Sequence, residues 1–315
     1  MKVLIIDVDF DPTHPFANLA CMKESAWHKN KGDMVYRAPA PCPNPDKVFI
    51  SCVFTRNRSR ALGMATMFTC PVEIGGYAIN DAQLPQEIEH IMPDYVLYGI
   101  KFSMGVTSRG CIRNCGWCIV PTKEGKIHDH APIREFLRHK RVMLLDNNFL
   151  ASPRCQDNLT FLIQHKIRVC FTQGLDIRLV DKSVAKLLAK TRYSNGDFTT
   201  KRLYFAFDQP AIEGEVLNGI QMLRDVGIPP RHLMFYVLVG FNTTFAQDYH
   251  RFEVLRSLGT LPYIMLFNDR KNAPLLRHFE RYVNGGFSRI CKWKDYDQGD
   301  SQKWIKSEIG TFEET

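Results

Sequence analysis

Apolar and polar positions alternate along this chain in a pattern that repeats from end to end. Residues 2–8 form a short, nearly continuous apolar run, the mark of a strand covered on both faces. Leu19, Met22, Lys23, Ala26 and Trp27 then fall at helical spacing. They predict a helix over 16–30, opened by His14-Pro15 and stopped by Gly32. Residues 34–36 read as a second short strand. Four prolines within 39–45 leave room only for a loop. A strand over 46–54, a helix over 59–68 and a strand over 71–74 ended by Gly75-Gly76 come next. A helix over 84–91 and a strand over 95–98 complete this half. Strands regularly separated by helices predict a small parallel α/β sheet over 1–99.

From residue 100 the same alternation takes a longer step. Apolar runs recur about every thirty residues, at 101–107, 141–146, 167–172, 202–207, 232–239 and 262–267. Helical spacing fills the intervals, near 131–139, 155–165, 181–190, 212–226, 244–258 and 273–283. Six such units with parallel strands predict an open, partial (β/α)6 barrel over 100–284. The remainder, 285–315, is less regular and reads as a tail.

In β/α barrels the chemistry collects at the C-terminal ends of the strands. The first of these ends carries Cys111, Cys115 and Cys118, spaced C-x3-C-x2-C. Three thiolates on one loop can hold a cubane iron–sulfur cluster and leave one iron without a protein ligand. The other reading is zinc, closed by His128 or His130 as a fourth ligand, although zinc's usual pairing is C-x2-C. Polar residues interrupt the apolar pattern at the later strand ends. They are Asp146-Asn147-Asn148, then Gln173, Asp176 and Arg178, then Asp208, and then Gly240 followed by Thr243 and Thr244. Asn268-Asp269-Arg270 closes the sixth strand.

Composition narrows the setting. A content of 45% hydrophobic and 23% charged residues is that of an ordinary globular chain, and no run is long enough to span a bilayer. The opening run contains an acidic residue, Asp7, and reads as a first strand, not a secretory signal. Ten cysteines in such a chain point to a reducing compartment, the cytoplasm, and to metal or redox use. A net charge of +8 permits a nucleic-acid partner without requiring one. In the tail, Cys291-Lys292-Trp293-Lys294 and Trp304 interleave rings with cations, a mixture that can grip a nucleic acid or pack over a barrel opening.

The stretch 107–121, with Trp117 just before the third cysteine, resembles the signature of the radical S-adenosylmethionine (radical SAM) enzymes. Its Ser-Arg-Gly before and Ile-Val-Pro after the cysteines are similar to the cobalamin-domain and methylthiotransferase branches. The resemblance implies a [4Fe-4S] cluster on Cys111, Cys115 and Cys118. It implies S-adenosylmethionine on the open iron, reductively cleaved to a 5′-deoxyadenosyl radical. Trp117 would lie beside the adenine, and Asp146, Asn147 and Asn148 would take the amino group. Arg178 would suit a carboxylate, and Gln173, Asp176 and Asp208 the ribose or substrate. Gly240 would let the backbone approach the adenosyl group. No residue is singled out as a catalytic acid or base. A reductant such as flavodoxin or ferredoxin is implied, and a nucleic acid or a peptide is a candidate substrate, with no membrane.

The first half resembles a cobalamin-binding domain in its Gly75-Gly76 turn, in 84–88 and in Pro93-Asp94-Tyr95. It departs from the cobalt-ligating Asp-x-His-x-x-Gly pattern, because Asp11-Pro12-Thr13-His14 has the wrong spacing. Cobalamin is therefore a candidate cofactor beside the alternative of a Rossmann-like scaffold or lid. No G-x-G-x-x-G follows the first strand, which argues against a dinucleotide. The implied outcome is C–H functionalisation, with cobalamin-dependent methylation one form of it. A methylthiotransferase-like or other cobalamin-independent modification of RNA or peptide is the alternative. Methylthiotransferases use N-terminal cysteines for a second cluster, but Cys21 falls within a helix, and Cys21, Cys42, Cys52 and Cys70 read as semi-buried thiols. A non-catalytic metal-binding nucleic-acid module is the reading from outside enzymology.

Overall fold

The computed structural model describes residues 1–11, 17–80, 82–269 and 273–296. His14 and Arg270, and Trp304 in the tail, lie outside these residues. The elements begin with β1 (Lys2–Asp7), α1 (Leu19–Asn30), β2 (Met34–Arg37), β3 (Lys47–Ser51), α2 (Arg58–Ala65), β4 (Val72–Gly75) and α3 (Gln86–Glu89). Next come β5 (Ser103–Gly105), β6 (Ser108–Arg109), α4 (Val120–Lys123), β7 (His128–Asp129), α5 (Ile133–Phe136) and β8 (Arg141–Leu144). Then follow α6 (Cys155–Gln164), β9 (Arg168–Phe171), α7 (Lys182–Lys190), β10 (Arg192–Tyr193), β11 (Leu203–Ala206) and α8 (Glu213–Asp225). The last are β12 (Leu233–Val239), α9 (Phe245–Ser257), β13 (Leu261–Leu266) and α10 (Pro274–Asn284). This is an α/β fold with parallel sheets, as the periodicity predicts. Strand–helix units follow one another from β5 to α10 in the order of a partial (β/α)6 barrel. No helix among the described residues is long and apolar enough to cross a membrane.

The chain forms two compact units. The first comprises Met1–Thr107 with Asp129–Leu145, and the second Ser108–His128 with Asp146–Thr315. In the first unit a parallel sheet runs in the order β2-β1-β3-β4. Its strands carry apolar side chains on both faces, so neighbouring residues of β1 enter different cores. Val3 and Ile5 pack with Cys21 of α1 and with Phe49. Leu4 and Ile6 pack with Val48, Ile50 and Ala61 of α2. This is the Rossmann-like half. The pair β5–β8 is also parallel, with Met104 opposite Met143. A Cβ on Gly105 would stand 2.4 Å from the Phe136 ring, so only glycine lets α5 lie flush on that strand.

The expected strand over 95–98 is instead a 3-10 turn, Tyr95–Tyr98. The Asp94 carboxylate accepts the Val96 N–H at its start, and Gly99 closes it at φ +65°. Tyr95 is buried with its hydroxyl bonded to the Met104 and Phe136 carbonyls, while Val96 is 73% exposed. Apolar composition suggested a strand here, but a capping aspartate and a left-handed glycine set a turn.

In the second unit β9 and β10 pair in parallel. A parallel bridge from Leu175 to Phe205 follows, and β11-β12-β13 form a parallel sheet. β12 alternates buried and half-buried positions along Leu233–Val239. The Asn284 side chain, at the end of α10, accepts the Ile264 N–H at 2.8 Å and donates to the Ile264 carbonyl at 2.9 Å. Trp293 is 6% exposed and packs against Phe279 and Tyr282 of α10, so its ring is not offered for stacking on a base.

Helix α8 approaches the turn that follows β9 at Gly219. A Cβ there would lie 2.5 Å from Ile177 Cγ1 and 3.0 Å from the Ile177 carbonyl oxygen. Gly219→Ala is therefore expected to lower stability by about 1–3 kcal/mol through overpacking, despite alanine's better helix propensity. Chemical denaturation checks this, and an unchanged midpoint would show that the turn yields freely.

Candidate functional site

The cysteine loop leaves β6 through Gly110, whose φ is +76° and whose Cβ would fall 2.3 Å from the Lys126 carbonyl oxygen. Only glycine fits there. The Cys111 N–H donates to the Gly125 carbonyl and the Cys118 N–H to that of Cys115. Glu124, just after α4, gathers three donors. They are the Gly110 N–H at 3.0 Å, Asn147 Nδ2 at 2.7 Å and Arg109 Nη1 at 3.4 Å.

All three thiols are free of disulfides. Cys111 Sγ accepts the Arg113 N–H at 3.3 Å and Asn148 Nδ2 at 3.4 Å. Burial pushes the Cys115 thiol up from its ordinary pKa. The Arg178 guanidinium opposes that rise, while Cys118, Cys111 and Asp208 reinforce it. Among the described residues no three His, Cys, Asp or Glu side chains stand in a metal-holding geometry. His128 is exposed with Nδ1 on the Lys126 carbonyl, and His130 places Nε2 2.8 Å from Glu89.

The triplet after β8 braces this loop. Asp146 is buried and accepts both the N–H of Ser108 at 2.6 Å and its hydroxyl at 2.8 Å. Asn147 holds Glu124, and Asn148 reaches Cys111. The Asn148 Oδ1 atom is buried with no hydrogen-bond partner.

The segment after β9 divides. Gln173 is exposed. Asp176 caps its turn by accepting the Arg178 N–H, and it takes the Arg178 guanidinium bidentately at 2.6 and 3.0 Å. Arg113 Nε reaches the same carboxylate at 2.9 Å. Burial alone would raise the Asp176 pKa, but the hydrogen bonds and charges of Arg178 and Arg113 outweigh it and hold the carboxyl below its ordinary value. Arg178 is thus paired with Asp176 while its charge also acts on Cys115 and Cys111.

Asp208, after β11, accepts the Leu238 N–H at 2.9 Å. Burial pushes its carboxyl up, against the pull of that hydrogen bond and of Arg251 and Arg178. Gly240, at φ +78°, donates its N–H to Asp248 Oδ2 at 3.2 Å. Thr244 caps α9 in a reciprocal box with Gln247. Trp117 meets Phe241 edge-on, with ring centroids 5.3 Å apart.

Sequence reasoning passed over Arg113, Glu124, Phe241, Asp248 and Arg251. The last two are fully buried on α9. Arg251 binds Asp248 at 2.5 Å and donates to the Phe207 and Leu238 carbonyls. The available signal was an i,i+3 charge pair on the helix face that also carries Phe252 and Leu255.

No family model matches this chain, and no curated protein matches it. Among solved structures it is similar to OxsB, described as a cobalamin-dependent S-adenosylmethionine radical enzyme, with 11% identity and a TM-score of 0.45. The match covers 84% of this chain and 49% of that one, so this chain spans about half of its length. A likeness of that score is too slight to carry a functional assignment.

Two outcomes follow from the charges. The ionised Asp176 is favoured by folding, so it stabilises the fold at neutral pH, and this contribution fades as pH falls below its ordinary pKa of 3.8. Asp176→Asn should melt below wild type at pH 7, and the gap should narrow on acidification past that value. A gap constant with pH would contradict the assignment. Arg251→Met should cost about 3–5 kcal/mol in denaturation, because Asp248 is left buried and unpaired, and Arg251→Met/Asp248→Leu should recover part of it.

Proposed function

We propose that this chain is a radical SAM enzyme. The carrying observation is the C-x3-C-x2-C spacing of Cys111, Cys115 and Cys118 on the loop after the first strand of the β/α series. The surroundings of the thiols fit a cluster-binding role. Two N–H donors already point at Cys111 Sγ, the Arg178 charge acts on Cys115, and no disulfide competes. When bound, a [4Fe-4S] cluster and S-adenosylmethionine supply one-electron cleavage of the sulfonium and a 5′-deoxyadenosyl radical.

The protein's own part is positioning. Cys111, Cys115 and Cys118 would hold the cluster, and Asp146, Asn147 and Asn148 fix the loop that carries them. Trp117 lines the adenine side, joined by Phe241. Asp176 and Arg178 form the polar wall beside the thiols, with Gln173, Asp208 and Gly240 supplying the remaining strand-end contacts. Residues 1–99 act as the Rossmann-like domain and candidate cobalamin carrier, 100–284 as the barrel and 285–315 as a tail. The reaction is C–H functionalisation of a nucleic acid or peptide, with methylation one form of it. A flavodoxin or ferredoxin in the cytoplasm supplies the electron.

Anaerobic reconstitution tests this. About four irons per chain are expected for one cubane, and about eight would instead indicate a second cluster of the methylthiotransferase kind. With dithionite and S-adenosylmethionine, wild type should release 5′-deoxyadenosine and Cys111→Ala should not. Equal output from the two, or stoichiometric zinc with no iron, would overturn the enzymatic reading.

A further inference from the structure

The strands of the second unit have a second end, and cations predominate there. At the start of β9, Lys166 is exposed and Arg168 half-buried, and Arg168 stands opposite Arg192 in the parallel register of β10. At the start of the neighbouring sheet, Leu203 stands opposite Leu233, which sets Arg202 and Lys201 beside His232 and Arg231. One short bond joins the two groups, and two more brace the first. The Tyr193 hydroxyl meets His232 Nδ1 at 2.9 Å, Arg192 donates to the Lys166 carbonyl at 3.2 Å, and Arg168 donates to the Phe198 carbonyl at 2.8 Å. Burial lowers the His232 pKa, and Arg231, Lys201 and Arg202 lower it further, so these cations share one neighbourhood.

None of these six lysines and arginines forms an ion pair with a carboxylate among the described residues. Asp197 is the one acidic residue in the loop 194–202 between β10 and β11. Pairing is the common fate of surface charge, and a one-sign face forgoes it at a cost in self-repulsion. We infer that this face binds the phosphate backbone of a base-paired nucleic acid.

The neighbours of the cations select that class of partner. A protein interface carries an apolar or aromatic centre, and no large hydrophobic residue within 164–202 or 229–233 is exposed. A single strand is held by stacking, and the rings here are engaged: Tyr193 and Phe198 are buried, His232 is half-buried on the Tyr193 hydroxyl, and the exposed His165 lies against Phe161 with ring centroids 4.3 Å apart. A duplex displays regularly spaced phosphates and needs only cations in a fixed array. The strands end at the opposite side in Asp176, Asp208 and Gly240, about 13 Å away for a four-residue strand, so the contact anchors the polymer apart from the cysteine loop.

The test is fluorescence anisotropy of the full-length chain with a labelled RNA duplex of about 16 base pairs across a potassium chloride series. Lys166→Gln/Lys201→Gln/Arg231→Gln removes three exposed charges whose side chains make no hydrogen bond, so the fold is kept, and a thermal melt verifies it. The slope of log K against log salt should fall by about three, with binding weaker on the order of tenfold or more. Arg58→Gln/Arg60→Gln/Lys101→Gln carries the same charge change elsewhere and should bind as wild type. The inference is overturned if wild type does not bind. It is equally overturned if the slopes of variant and wild type agree, or if the control loses as much as the variant. Displacement of the duplex by poly-aspartate or a single strand at lower concentration would assign the face to another partner and overturn it too. The readout involves neither iron nor S-adenosylmethionine, so its failure is separate from failure of the enzymatic reading.

Discussion

A loop that carries three thiols cannot rely on helix or strand bonds to keep its shape, and its backbone donors still need acceptors. Here that constraint is met by carboxylates. Asp146 takes both donors of Ser108 as the strand leaves, Glu124 takes Gly110 and Asn147, and Asp176 takes the side chain of Arg113 from between the first two cysteines. Charge-assisted hydrogen bonds are the strong ones, and these anchors act on consecutive parts of the loop. The position of Cys111, Cys115 and Cys118 depends on them.

The same economy appears beneath the later strand ends. Arg251 joins the Phe207 and Leu238 carbonyls, and its partner Asp248 takes the Gly240 N–H. Both side chains are fully buried, so each is tolerable only because the other and the backbone meet most of its hydrogen-bonding groups, Arg251 Nε being left without a partner. Asp208 bonds the Leu238 N–H from the other strand. The mouth of the β11–β12 sheet is therefore set by ionic contacts from a helix, not by apolar packing alone.

Much of this was legible in the chain. Runs such as 232–239 and the spacing of 244–258 have one reading each, because length and period agree, and β12 and α9 lie where they predict. The segment 95–98 misled because its apolar residues outweighed Asp94 and Gly99, whose effect depends on local geometry. At the strand ends, residue type showed that polar groups belong there without showing their partners. Asp146 and Asp208 carry the same group, and one holds a serine while the other holds a strand N–H. Gln173, from the same kind of position, points to solvent. Arg113 and Glu124 sit in plain view in the loop, but only folding brings them to Asp176 and Asn147.

The Asn284 amide on Ile264 has a consequence for how this protein meets others like it. β13 is the outer strand of its sheet, and an outer strand offers a row of open peptide groups to any passing chain. The Asn284 side chain carries one donor and one acceptor, as a peptide does, and places both on Ile264. It behaves as a single residue of a further strand, supplied by the protein's own helix. On the β13 side, the sheet closed in this way at its middle offers no uninterrupted edge on which a second copy could continue it.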